Sequence, residues 1–157
     1  MPVSADRFFV TLARVVAIFL LLAMLLLAVI LPPLVKNFCA YPDLIGDRST
    51  MTAFDHGLVL TLAYTMLAIA MASVAVLLGL LTEISRGRVF TALPVRLLTV
   101  VSVCCFVESL LFLILGIYFQ LAFAVAVATA FIGLCLLVVR NVLSEACRIK
   151  TENDFTV

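Results

Sequence analysis

Glu108 is the one charged residue in a run of 43 positions, 97–139, that is otherwise apolar or weakly polar. An ionised carboxyl at the centre of a bilayer costs at least about 2.5–3.5 kcal/mol on insertion scales, so a residue kept there is a functional candidate by default. Cys104 and Cys105 stand four and three positions before it, and a helix is expected to turn all three toward a similar face. Two chemistries are open to such a carboxyl. In its neutral form it fastens helices together through a hydrogen bond to a hydroxyl, with Thr129, Thr61 and Thr65 as candidates. In the other, it takes up and releases a proton or cation as access alternates, the behaviour of a small coupled transporter or channel component.

The remaining reactive side chains form no recognisable centre. Cys135 lies in an apolar run, Cys147 near the C-terminal end and Cys39 alone in the first polar stretch, with no C-x-x-C pair for a metal or a disulfide relay. His56 has Asp55 beside it but no cluster of ligands around it. The G-x-S-x-G, Walker and H-E-x-x-H signatures are absent. A net charge of +1, with Lys and Arg in short groups, offers no basic surface for direct nucleic-acid binding. The expectation is a protein that is not an enzyme and has no metal or cofactor.

The elements that must position Glu108 follow from composition. A chain that is 66% hydrophobic and 12% charged has too little polar surface for a soluble domain, while roughly 20 apolar residues cross a bilayer core about 30 Å thick. Four spans are predicted, at about 15–35, 58–81, 97–117 and 121–139, within a single membrane domain covering 1–157. The first is too long for a signal-peptide core and is expected to be retained, with Pro32-Pro33 kinking or ending its helix. Of ten Lys and Arg, eight fall before the first span, between the second and third, or after the fourth. The positive-inside bias therefore places both termini and loop 82–96 in the cytoplasm, and loop 36–57 outside. The predicted fold class is all-α: an integral membrane four-helix bundle with cytoplasmic N- and C-termini, in the inner membrane of a bacterium.

Helices in lipid associate where small residues let backbones approach. Thr61, Thr65, Ala68, Ala72, Ala75 and Gly79 recur at alternating spacings of four and three on one face of the second span. Ala122, Ala126, Thr129 and Gly133 repeat the pattern in the fourth. These stripes are expected to form close helix pairs, within the chain or in a homodimer.

Two further segments carry a family resemblance: Arg86-Gly87-Arg88-Val89-Phe90-Thr91 followed by Arg96-Leu97, and the closing sequence Ala146 to Val157 with its Glu152-Asn153-Asp154-Phe155-Thr156-Val157 end. They resemble the two signatures of a bacterial four-span membrane-protein family catalogued as domain-of-unknown-function family 2975, with Phe155 in place of the usual Leu and Leu93-Pro94-Val95 departing from the family's turn sequence. The resemblance implies a four-span protein without an assigned activity, often encoded beside a small helix-turn-helix regulator. That regulator becomes the expected cytoplasmic partner, with Arg86, Arg88, Arg96, Glu152, Asn153, Asp154, Phe155 and Val157 as the docking candidates. The same arginines also enforce topology and attract anionic lipid, and the last residues of a chain commonly fray. A regulatory or interaction protein of the bilayer is the leading expectation, and the Glu108-centred transporter is the alternative.

Overall fold

A computed structural model describes residues 3–39, 53–86 and 92–154. It is all-helical there: α1 spans Val3–Cys39, α2 Ala53–Ser85, α3 Ala92–Leu115 and α4 Gln120–Asp154. Each contains a segment long and apolar enough to cross a membrane, at Val10–Asn37, His56–Ser85, Leu93–Leu115 and Gln120–Lys150. The chain is thus a four-span membrane protein whose helices run on beyond the apolar cores that reveal them.

The ends and interruptions of these helices show how backbone polar groups are satisfied where water is scarce. Helix α1 continues through Pro32-Pro33 to Cys39, so the prolines do not end it. Proline has no N–H, and Pro32 therefore leaves the carbonyl of Ala28 without its usual intrahelical donor. The hydroxyl of Tyr64 on α2 donates to that carbonyl at 3.0 Å. In α2 itself, Thr61, Thr65, Ser73 and Thr82 each donate to the carbonyl four residues earlier, which leaves no hydroxyl donor facing hydrocarbon unpaired. Pro94 is fully buried in the first turn of α3, where the amide it lacks would have had no helical partner.

The α3–α4 connection is short because its amides close on the helix that precedes them. Gly116 N–H donates to Phe112 O, Tyr118 N–H and Phe119 N–H donate to Leu115 O, and Ala122 N–H donates to Phe119 O. A Cβ at Gly116 would lie 3.0 Å from the ring of Phe123, so glycine is what permits the chain to reverse so tightly.

Packing follows chain order: α1 on α2, α2 on α3, α3 on α4, the last being the most extensive. Among the described residues α1 and α4 share no seam of comparable extent. The α3–α4 seam is built from small groups. Ser102 is fully buried and donates to Gly133 O at 2.8 Å, and Ser109 donates to Ala126 O at 2.9 Å. Ala122 and Ala126 are buried beside them, and a Cβ at Gly133 would stand 3.1 Å from Cys105 Cβ. The α4 stripe is thus a packing surface within the chain. The α2 stripe is not: Thr61, Thr65, Ala68, Ala72, Ala75 and Gly79 all lie on an exposed face.

Gly133→Val is expected to force α3 and α4 apart and destabilise the protein by about 1–3 kcal/mol. Gly57→Ala, whose added Cβ meets nothing within 4 Å, should leave stability level or slightly raised; thermal unfolding in detergent ranks the two. Tyr64→Phe should cost about 0.5–1.5 kcal/mol. That cost should shrink in a Pro32→Ala background, where residue 32 regains an N–H for Ala28, and a double-mutant cycle measures the difference.

Candidate functional site

Glu108 lies on α3 and lines an open groove of about 370 Å³. Three helices wall it, each with residues at helical spacing: Met24, Leu27 and Leu31 from α1; Ala63, Met66, Leu67 and Ala70 from α2; Phe112 and Leu115 from α3. Every wall residue other than Glu108 is apolar. The space exists because Ala63 and Ala70, seven positions apart, present methyl groups where larger side chains would fill it. Glu108, Phe112 and Leu115 lie roughly 100° around α3 from the seam serines, on a flank that the α3–α4 seam leaves uncovered.

Oε1 of Glu108 is buried and makes no hydrogen bond. None of the threonines expected to receive it is bonded to it: Thr61 donates to Gly57 O, Thr65 to Thr61 O and Thr129 to Val125 O, each at 2.8 Å within its own helix. Cys105 does not share the cavity's wall. It packs against Gly133 on the α4 side, since residues three apart on a helix still differ in direction by about 60°. Cys104 and Cys105 are free thiols, as are Cys135 and Cys147. A buried acceptor without a donor is uncommon in folded proteins and calls for an explanation in terms of strain, function or a bound group.

The second group of candidates lies at the basic end of the helices, where α2 leads to α3 and α4 finishes. Arg86, on the exposed side, pairs with the largely buried side chain of Glu83 at 3.1 Å. Arg96 is exposed at the start of α3. Four residues that the sequence did not single out tie the elements together there: Arg14 donates to Ser85 Oγ at 3.1 Å, joining α1 to α2, and Arg140 donates to Thr99 Oγ1 at 3.2 Å, joining α4 to α3. Helix α4 continues past Arg140 as a charged surface on which Arg148 pairs with Glu145 at 2.6 Å and Glu152 at 3.7 Å. Asn153 and Asp154 are in its last turn. Arg88, Phe155 and Val157 lie outside the described residues.

A family described as "Protein of unknown function (DUF2975)" matches residues 36–157. The chain belongs to this family. The match takes in α2, α3 and α4, and therefore Glu108, Ala63, Ala70 and the α4 extension, while Met24, Leu27 and Leu31 precede it. No curated protein and no solved structure matches the chain. Membership in DUF2975 brings no reaction or ligand with it, and the geometry has to carry the functional argument.

With no hydrogen bond to lose, Glu108→Met is expected to leave thermal stability level or raise it by about 1 kcal/mol. A fall of about 2 kcal/mol or more in detergent unfolding would instead show that the carboxyl holds the helices together.

Proposed function

We propose that this DUF2975 protein is a non-enzymatic interaction or regulatory protein of a bacterial inner membrane that binds a cytoplasmic partner through the end of α4 and the loop between α2 and α3. The observation that carries this reading is the length of α4. Its 35 residues extend about 52 Å at 1.5 Å per residue, against a hydrocarbon core of about 30 Å. About 20 residues cross such a core; counted from Gln120 they end near Arg140, and the helix continues from there to Asp154.

The extension has the character of a docking surface. Glu145, Arg148 and Glu152 give it a solvated side supported by pairs three and four residues apart. Val142 and Ile149, seven apart, remain exposed, an apolar pair at the spacing by which helices engage grooves. Eight of ten basic residues lie at this end, which supports its cytoplasmic placement. The resemblance to proteins encoded beside a helix-turn-helix regulator supplies the partner class. In this reading the regulator, and not the membrane protein, touches nucleic acid.

Truncation after Lys150 removes the end of the extension but leaves the α3–α4 seam whole. Co-purification from native membranes is expected to recover a cytosolic regulator with the intact protein and at least about tenfold less with the truncated form. Equal recovery from both forms would remove the α4 end from the interface.

A further inference from the structure

We infer that the open groove beside Glu108 is a binding site for a lipophilic monocation, an amine or quaternary ammonium whose charge meets the carboxylate and whose apolar body lies along the groove between α1, α2 and α3. This site is separate from the proposed docking surface on α4 and goes beyond it.

The ligand class follows from what the walls offer and what they lack. One carboxyl is the only side-chain oxygen or nitrogen in the lining, and its Oε1 is buried with no donor to satisfy it. A ligand that completes the site must therefore bring positive charge, or at least a strong donor, to that carboxyl. Hard metal ions are poorly served, since calcium takes six to eight oxygen ligands and magnesium an octahedral set. Molecules with several hydrogen-bonding groups would leave them stranded against methyl, thioether and phenyl surfaces. An anion would meet the carboxylate with like charge. What remains is one cationic centre on a hydrocarbon frame.

Three features of the walls suit such a ligand. Phe112 lies one helical turn beyond Glu108, where an aromatic face attracts a cation that the carboxylate holds. Met24 and Met66 face the space from α1 and α2, and unbranched thioether side chains adapt to irregular shapes. The volume of about 370 Å³ falls at the small end of ligand pockets, roughly 300–1,000 Å³, which favours a small amine over a bulky one.

The test uses the full-length protein in lipid nanodiscs, with tetrapropylammonium as a permanently charged probe and 1-octanol as an uncharged one. Calorimetric titration and concentration-dependent thermal shift read the binding. Wild type is expected to bind tetrapropylammonium, with affinity at least about tenfold weaker in Glu108→Gln and in Ala70→Phe, which keeps the carboxyl but fills the space. Octanol should show no dependence on residue 108. Should Glu108→Gln fail to fold, Ala70→Phe together with Glu108→Asp, which retains the charge and should retain binding, carries the comparison. Absence of tetrapropylammonium binding to wild type overturns the inference. So does binding that is equal in wild type and Glu108→Gln, which would make the cavity a general apolar space open to lipid tails. The form truncated after Lys150 should bind the ammonium as wild type does, so loss of the cytosolic partner and loss of this site are separately visible.

Discussion

Two serine hydroxyls, each donating to a carbonyl on the neighbouring helix, set how closely α3 and α4 approach. Ser102 reaches Gly133 and Ser109 reaches Ala126, so a step of seven residues on one helix is matched by seven on the other. In hydrocarbon there is no water to push helices together, and association depends on close van der Waals contact and on polar groups that find partners. Small side chains on α4 provide the first and the serines provide the second. Because this face of α3 is committed to α4, a neighbouring flank meets α2 and approaches α1, and that flank bears Glu108, Phe112 and Leu115. The position of the carboxyl is thus a consequence of a seam in which it takes no part.

The α1–α2 pair solves a related problem at a different point. A proline inside a membrane helix exposes a carbonyl, and only a neighbouring group can satisfy it where water is excluded. Tyr64 does so for Ala28, joining the two helices at positions directly beside Leu27 and Ala63 of the cavity wall. The bond that corrects the defect also helps define one side of the cavity. At the basic end, the contacts of Arg14 with Ser85 and Arg140 with Thr99 fasten adjacent helices near the point where they leave the apolar layer.

Much of this architecture is legible in the residues. Four long apolar runs give four helices, and a single charge in a run of 43 positions marks Glu108 without any knowledge of its surroundings. Which helix face turns inward is harder to read, because the lipid outside is as apolar as the protein inside. The small residues of α2 and α4 have the same spacing, yet Ala126 is buried and Ala68 and Ala72 are exposed. Ser102 and Ser109, seven apart around Cys105, were the available signal for the α3 seam, and they distinguish it from a stripe of alanine alone. The partner of Ala28 carried no local signal, since Tyr64 is 36 residues away. The end of α4 was signalled in the sequence by acid–base pairs three and four residues apart, which continue the helical repeat after hydrophobicity has stopped.

Helix α4 contains no proline, and its one glycine, Gly133, is held in the seam against Cys105 and Ser102. Nothing in its sequence provides a joint where helices usually bend. Its 35 residues therefore form one continuous rod, about 52 Å long. A tilt of about 5° pivoting at the turn displaces the far end by roughly 4.5 Å on that length, more than the width of a methyl group at a packed interface. Any rearrangement of the seam is consequently enlarged, by leverage alone, into a lateral excursion of the polar tip.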